Sequence, residues 1–143
     1  MATKIKVCGY HIDVFQHVNN ARYLEFYEMD RWAGMGKQGF LEWATQKQLA
    51  MVVVNININY FIGAVLNDEL TVLSRIDKIG AKSALCYQQI IREKNGKREL
   101  VSDAVLTFVI VDLAANKSVP LNGEVLEMLN KLSLSDKRDF IAI

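Results

Sequence analysis

Hydrophobic and polar positions along this chain follow two different periods, and the change from one to the other divides it into elements. Residues 3–8, TKIKVC, alternate polar and apolar side chains, which predicts a short strand. From Asn19 or Asn20 to about Gly34 the pattern predicts a helix, for which asparagine is a common N-cap. Because apolar residues cover most sides of this predicted helix, we expect other structure to wrap around it.

The two-residue period of strands takes over after a shorter helix predicted at residues 40–48. The segment AMVVVNININYF, residues 50–61, alternates apolar residues with asparagines, so asparagines form one face of its strand. In the simplest interpretation this face is solvated; alternatively it meets a second subunit, where amides satisfy one another across a twofold axis. The predicted apolar face carries Val52, Val54, Ile56, Ile58 and Tyr60, and the other face carries Asn55, Asn57 and Asn59.

Three more strands and a last helix complete the predicted order of elements. The hairpin between the last two strands turns at Asn95-Gly96, a pair that favours two-residue turns. The order of strand, long helix and four further strands indicates one α+β domain over residues 1–143, with a curved antiparallel sheet of five strands around the helix. The remaining strands are predicted at 68–79, 83–93 and 99–113, and the C-terminal helix carries Leu121, Val125, Leu129 and Leu132 on its apolar side.

Composition narrows the class of protein. The chain has 143 residues, 51% of them hydrophobic, which is enough for a sizeable core in one domain. Its formal net charge of +1 gives no reason to expect nucleic acid as a partner. No apolar run approaches the ~18 residues of a membrane span, and the N-terminal segment lacks the apolar region of a secretory signal. Cys8 and Cys86 are isolated, so we expect two free thiols in a cytoplasmic protein.

Side chains that could take part in catalysis or binding are concentrated between the first strand and the long helix, in GYHIDVFQHVNNARYLEFYE, residues 9–28. Asp13 lies shortly before the helix, whose first turn offers unpaired backbone N–H groups and the positive end of a dipole. A lone loop aspartate is most often a turn former or a cap, and His17 in such a loop is most often a hydrogen-bonding scaffold residue. The spacing of His11, Asp13 and His17 matches no standard zinc site, so we expect no metal.

This loop and the order of elements resemble a known family. The motif DxxxHVNNxxYLxFYE, residues 13–28, is similar to the signature of the hotdog-fold acyl-CoA thioesterases of the 4-hydroxybenzoyl-CoA thioesterase group. The likeness continues through VVVNININY, LNDELTV, GAKSALCYQQI and SDAVLTFVIVDL, so it covers essentially residues 3–130. Within the group, the chain most resembles the branch that acts on long-chain acyl-CoA.

The resemblance implies a fold, an assembly and an activity. The fold is the hotdog fold, and the assembly is a homodimer in which the strands at residues 50–61 pair edge to edge, often within a tetramer. The activity is hydrolysis of acyl-CoA, of long chain length in the branch most resembled, in a tunnel at the dimer interface. Coenzyme A is then part of the substrate, and no separate cofactor is implied.

The resemblance also implies roles for individual residues of the loop. Asp13 is the catalytic acid, either as a nucleophile that forms a mixed anhydride or as a general base that activates water. The backbone N–H of Asn20 polarises the thioester carbonyl, and His17 acts as a base or positions the loop or the thioester. The residues expected to contact substrate are Gln16, Asn19, Tyr23, Phe26 and Tyr27.

Two features of the sequence bear on these roles. Many family members carry glycine immediately before the histidine, where this chain has Gln16, and glycine adopts backbone conformations that glutamine avoids. The loop is therefore expected to differ in shape, or Gln16 offers its amide to the substrate. The phosphates of coenzyme A require basic residues, for which Arg75 and Lys82, together with Lys78, are candidates.

Two other classes of function stay open. One is a hotdog hydratase or dehydratase of acyl thioesters, which usually places its aspartate and histidine in an Asn-Pro context that this loop lacks. The other is a non-catalytic module that binds acyl-CoA, for which loss of Asp13 would be without consequence.

Overall fold

One antiparallel sheet dominates the computed structural model, which describes residues 2–132 and 134–143. Its main strands lie in the order β1-β3-β4-β5-β2, and β6 pairs with the end of β5. The five predicted strands are confirmed, whereas β6 was not predicted because a two-residue strand has no detectable period. The strands are β1 (Thr3–Lys6), β2 (Leu49–Tyr60), β3 (Glu69–Ile79), β4 (Ala84–Lys94), β5 (Lys97–Asp112) and β6 (Lys117–Ser118).

The predicted helices are also present within the described residues. They are α1 (Asn20–Lys37), α2 (Phe40–Gln46) and α3 (Gly123–Asn130). Helix α1 continues past Gly34 because the next residue, Met35, is buried in the core, and this packing outweighs the low helix propensity of glycine. The chain then turns at Gly39, whose φ of 75° lies in the left-handed region.

The sheet curls around α1 as predicted, but as a half-barrel that covers one side of the helix in the single chain. The covered side carries Tyr23, Phe26, Tyr27, Asp30, Gly34 and Met35. The opposite side leaves Leu24, Met29 and Trp32 exposed, with Trp32 at 60%. The reason is geometric, since a single curled sheet reaches around one side of a helix and leaves the other side open in one chain.

The core has two parts, one under each half of α1. The first surrounds Phe26 and Tyr27 and includes residues of β1, β3 and the loop before α1. The second surrounds Phe108 and Ile110 of β5 and also takes in residues of α2 and α3. The loop that precedes α1 is thus anchored to the first core at one end of the helix.

Strand β2 lies at an edge of the sheet and pairs with β5 along its length. A β-bulge between Val53 and Asn55 shifts its alternation by one residue. As a result Met51 and Val53 face the core before the bulge and Ile58 faces it afterwards. The prediction of one continuous apolar face was therefore wrong, because an inserted residue is invisible to a strict two-residue pattern. The predicted face leaves Val52, Val54 and Ile56 exposed.

The C-terminal segment returns to the sheet after α3. The backbone N–H of Ser135 donates to the carbonyl of Ser74 in β3 at 2.8 Å. Further along, Ile141 exchanges two hydrogen bonds with the side-chain amide of Gln89 in β4, at 2.8 and 2.7 Å. Across residues 2–132 and 134–143, no helix has the length and apolar character needed to cross a membrane.

Candidate active site

A tight loop between β1 and α1 holds Asp13. The loop is closed by an antiparallel bridge between Ile12 and Val18, and the Asp13 N–H donates to the His17 carbonyl at 2.8 Å. The Asp13 carboxylate turns back on its own loop, where Oδ1 accepts from the Phe15 N–H at 2.9 Å and, more weakly, from the His17 N–H at 3.5 Å. Within the described residues Oδ2 has no hydrogen-bond partner. One oxygen therefore fixes the loop, and the other makes no hydrogen bond to the described part of the chain.

The first turn of α1 presents the donor that the sequence predicts. Asn19 is the N-cap, and its Oδ1 accepts from the Ala21 N–H at 3.0 Å. The Asn19 carbonyl accepts from the Arg22 N–H at 2.8 Å. No group in the described part of the chain accepts from the Asn20 N–H. The helix thus offers an unpaired donor at the positive end of its dipole.

Asp13 and Asn20 line the same open pocket. Its volume is about 460 Å³, and it opens to solvent between the loop and the end of β2. Two other residues of the predicted motif, Val18 and Tyr23, complete the side formed by the loop and α1. The opposite side is formed by Tyr60, Phe61, Ile62 and Gly63.

The three aromatic residues of α1 that the sequence assigned to substrate differ in position. Tyr23 lines the pocket, where its hydroxyl accepts from the Ala64 N–H at 3.4 Å and its ring packs edge-on against Tyr60. Tyr23 is only 3% exposed, and Phe26, which belongs to the same core cluster, does not line the pocket. Tyr27 also lies in the core, where its hydroxyl bonds to Ser102 Oγ at 2.7 Å and burial raises its pKa. Direct contact with a ligand in the pocket is thus open to Tyr23 alone among these three in the single chain.

The two histidines of the loop have different surroundings. His11 is buried, its Nδ1 accepts from the Cys8 N–H at 2.9 Å, and burial lowers its pKa. His17 is exposed, and its ring lies directly on Gly63, where an added Cβ would come within 2.6 Å of His17 Cδ2. Among residues 2–132 and 134–143, no group of three acidic, histidine or cysteine side chains has the arrangement of a metal site.

Gln16 adopts the backbone conformation that glycine normally supplies. Its φ is 68°, in the left-handed region, and its N–H donates to the Asp13 carbonyl at 3.0 Å. The glutamine side chain therefore does not prevent the tight turn, although a residue with a Cβ is strained there. The side chain itself is exposed beside the pocket.

The candidate phosphate-binding residues lie in another part of the molecule. The Arg75 guanidinium lies over both the Tyr87 and the Phe140 ring, at 4.6 and 4.7 Å from their centroids, and pairs with Asp77 at 2.8 Å. It lines a separate groove of about 710 Å³, between the second half of β3 and residues 129–137. Lys82 is exposed in the turn after β3. Neither residue lines the pocket of Asp13 in its own chain.

Sequence reasoning missed the side of the pocket that β2 and the following loop supply. Tyr60 was assigned to the apolar face of its strand, yet its hydroxyl donates to the Asn20 carbonyl at 3.1 Å. Gly63 was not considered, although it provides the surface on which His17 rests. The neighbouring Arg92 pairs with Asp68 and bonds to the Gly63 carbonyl at 3.4 Å, which holds this loop in place. These residues are far from the Asp13 loop in sequence, and only the fold brings them next to it.

A curled antiparallel sheet around one long helix is the hotdog-like arrangement of α+β folds. The model of the Thioesterase-like superfamily matches residues 9–129, and the chain therefore belongs to this superfamily. The predicted fold and the predicted class of enzyme, a thioesterase, are confirmed.

Two curated proteins and one solved structure illustrate the relationship. The long-chain acyl-CoA thioesterase FadM of Escherichia coli K12 is 48% identical over 132 residues, which cover 92% of this chain and 98% of FadM. The acyl-CoA thioesterase YbgC of Haemophilus influenzae is 30% identical over 110 residues, which cover 76% of this chain and 78% of YbgC. The crystal structure of YbaW from Escherichia coli has a TM-score of 0.86 at 48% identity, with 92% of this chain and 98% of that chain covered.

Proposed function

We propose that this thioesterase hydrolyses long-chain acyl-CoA to the free fatty acid and coenzyme A, with Asp13 as the reacting carboxylate. The observation that carries the proposal is that Asp13 and the unpaired Asn20 N–H line one pocket, as a carbonyl under attack requires. The choice of acyl-CoA and of long chains is supported by the 48% identity to FadM over nearly the whole of both proteins.

The reaction needs only a few groups because a thiolate leaves readily. Asp13 Oδ2 either attacks the thioester carbon, giving a mixed anhydride that water then hydrolyses, or it removes a proton from a water molecule that attacks. In the general-base route the oxygen of water ends in the fatty acid, whereas in the anhydride route it ends in the carboxyl group whose carbon the water attacks. In both routes the C–S bond breaks and the sulfur of coenzyme A takes up a proton.

The helix start supplies the stabilisation of charge. As the carbonyl carbon becomes tetrahedral, its oxygen gains negative charge that the Asn20 N–H and the helix dipole oppose. A single donor of this kind contributes about 2.7–4 kcal/mol to the transition state. His17, packed on Gly63 beside the pocket, holds the Asp13 loop or orients the thioester in this proposal.

The acyl chain and coenzyme A require more surface than the pocket of one chain offers. Tyr23 contacts the acyl group in our proposal, while Gln16 and Asn19 face the thioester at the rim. Phe26 and Tyr27 support Tyr23 from the core. Arg75 and Lys82 stay candidates for the coenzyme A phosphates, and in that role they reach a pocket of another subunit, because they lie in a different groove of their own chain.

Such a subunit is supplied by a homodimer in which two β2 strands pair edge to edge. The proposal is supported by the position of β2 at the sheet edge and by the apolar side chains it exposes, since a long apolar edge strand invites pairing. The loop tip adds Val14 and Phe15, exposed at 83% and 78%. The exposed apolar side of α1 supports a further step, from dimer to tetramer. We place the enzyme in the cytoplasm, in keeping with its two free cysteines.

The first test is thiol release from acyl-CoA substrates of graded chain length, from four to eighteen carbons, with the wild type and Asp13→Asn in parallel. We expect turnover to be greatest with long chains and to fall by ~10²–10⁴-fold in the variant. The same acyl groups on acyl carrier protein determine the preferred carrier. Light scattering measures the assembly of both proteins, and both are expected to be dimers or tetramers.

Two outcomes of the thiol-release test would count against the proposal, and a separate labelling experiment tests the chemical route. Absence of thiol release from every chain length, in a folded protein that binds acyl-CoA, would favour a binding module and contradict the proposal. Full activity in Asp13→Asn would remove Asp13 from the chemistry. Single turnover in ¹⁸O-labelled water tests for the anhydride route: label in the Asp13 carboxylate would demonstrate a mixed anhydride whose aspartyl carbon water attacks, since the general-base route leaves Asp13 unlabelled.

A further inference from the structure

Tyr60 connects the end of β2 to the first residue of α1. Its hydroxyl donates to the Asn20 carbonyl at 3.1 Å, and its ring packs edge-on against Tyr23 with 5.3 Å between the centroids. The side chain is 47% exposed and lines the pocket that contains Asp13. The residue that offers the oxyanion donor is therefore held from across the pocket.

The backbone of Tyr60 is itself fixed to the neighbouring strand. The preceding residue, Asn59, donates from Nδ2 to Asp103 Oδ1 of β5 at 3.0 Å, and the following N–H, of Phe61, donates to the Val101 carbonyl at 2.8 Å. Asp103 is buried, and its second oxygen accepts from the Tyr87 hydroxyl at 3.0 Å. Tyr60 thus has a rigid base from which its hydroxyl reaches the helix.

The Asn20 carbonyl does not need the Tyr60 hydroxyl as a hydrogen-bond donor. In an α-helix the first carbonyl already accepts from the N–H four residues later, and the half-exposed Tyr60 hydroxyl has solvent as an alternative partner. A second bond to this carbonyl therefore adds little to satisfaction of polar groups. It restrains the direction of the first peptide groups of α1, on which the direction of the Asn20 N–H depends.

We propose that Tyr60 is a positioning residue for thioester hydrolysis, which keeps the Asn20 N–H aimed into the pocket without touching the reacting atoms. This inference rests on the proposed function. Hydrogen-bond donors to an oxyanion are effective only when they are aligned before the charge develops. A small misalignment therefore lowers the rate of the chemical step while leaving the binding of substrate almost unchanged.

The test is Tyr60→Phe, which removes the hydroxyl and keeps the ring against Tyr23. We expect kcat for a long-chain acyl-CoA to fall about tenfold, with KM within about twofold of the wild type and an unchanged melting temperature. Tyr10→Phe is the matched control, because Tyr10 is 71% exposed and lies outside the pocket. This control is expected to keep the wild-type kcat.

A second measurement does not depend on turnover. Order parameters of the Asn20 and Ala21 amides, from ¹⁵N relaxation, are expected to fall in Tyr60→Phe and to stay unchanged in Tyr10→Phe. An unchanged kcat, a rise in KM alone, or a fall in kcat with unchanged order parameters would each overturn the inference. If the wild type releases no thiol, the proposed function fails, whereas the order parameters still decide whether Tyr60 restrains the helix start.

Discussion

Two aspartates associated with α1 illustrate how surroundings separate a carboxylate proposed to react from a structural one. Asp30, in the second half of the helix, is 1% exposed, and both its oxygens are occupied. Oδ1 accepts from the Thr3 hydroxyl at 2.7 Å and Oδ2 accepts from the Ser74 hydroxyl. Asp13 is only partly buried, and its Oδ2 has no partner in the described residues. Burial raises the pKa of Asp30.

The partners of Asp30 show what such a site does instead of chemistry. Ser74 also accepts from Gln88 Nε2 at 2.6 Å, and the same amide nitrogen donates to the Tyr27 carbonyl at 3.0 Å. Arg31 donates to Gln88 Oε1 at 2.9 Å. This network joins α1 to β1, β3 and β4, with no oxygen of Asp30 left for a ligand. The comparison teaches that an unoccupied carboxylate oxygen beside a pocket is a more informative sign of function than burial of a carboxylate whose two oxygens are both bonded.

The largest expected effect separates the two aspartates by stability. Asp30→Ala is expected to lower the free energy of unfolding by about 3 kcal/mol, because two buried hydroxyl donors lose their acceptor. Asp13→Asn is expected to change it by less than about 0.5 kcal/mol, since its amide oxygen can still accept from the Phe15 N–H. Urea unfolding of both variants measures the difference. Glu28→Ala, an exposed position on the same helix, is the control for loss of a carboxylate.

A similar loss of stability in both variants would contradict this division of roles. So would an Asp30→Ala protein as stable as the wild type, because the network would then contribute nothing to the fold. Thiol release, normalised to the folded fraction, completes the comparison: Asp30→Ala is expected to keep most of its turnover where it is folded.

The order of elements was predictable because each element carries its own local signal. Alternation identifies β3, β4 and β5, and the asparagine cap marks the start of α1. The bulge in β2 was not predictable, because one inserted residue changes no local pattern. The open side of α1 was missed for another reason. Apolar residues on a helix indicate that something covers them, and they do not say whether the cover comes from the same chain.

The candidate site was predictable on one side only. Asp13 and Asn20 lie seven residues apart, so a single loop and the helix that follows it place both. Tyr60 and Gly63 come from about forty residues further along the chain, and only the path of β2 past the helix start brings them there. Residues that join a site through tertiary structure leave no mark in the local sequence.

A smaller effect is expected at Gln16, which tests how much strain the Asp13 loop contains. A residue with a Cβ in the left-handed region costs about 1–2 kcal/mol, and a β-branched residue is disfavoured there most strongly. Gln16→Val is therefore expected to lower the free energy of unfolding by about 1–2 kcal/mol. Gln16→Gly is expected to change it by no more than about 1 kcal/mol, because relief of strain is offset by a more flexible unfolded chain.

The control for Gln16 uses a neighbour in the same loop. Val14 is exposed and its φ is negative, so Val14→Thr is expected to leave the free energy of unfolding of the monomeric chain nearly unchanged. A Gln16→Val protein as stable as the wild type would show that the loop relaxes out of the left-handed conformation.

The smallest expected effect is the pH dependence of stability that buried His11 contributes from the same loop. Burial lowers the pKa of His11, so the unfolded chain binds a proton more readily than the folded protein does. The stabilising contribution of neutral His11 is therefore complete above about pH 6.5 and decreases as the pH falls from there towards the lowered value. Asp30 acts in the opposite sense at lower pH, since its raised pKa favours the folded state as it takes up a proton.

His11→Gln isolates this contribution, because glutamine keeps an acceptor for the Cys8 N–H and does not titrate between pH 5 and 7. Subtracting its stability from that of the wild type at each pH removes Asp30 and every other shared group. Relative to His11→Gln, the wild type is expected to lose free energy of unfolding as the pH falls below about 6.5. A difference that stays constant between pH 5 and 7 would contradict the effect of burial on His11.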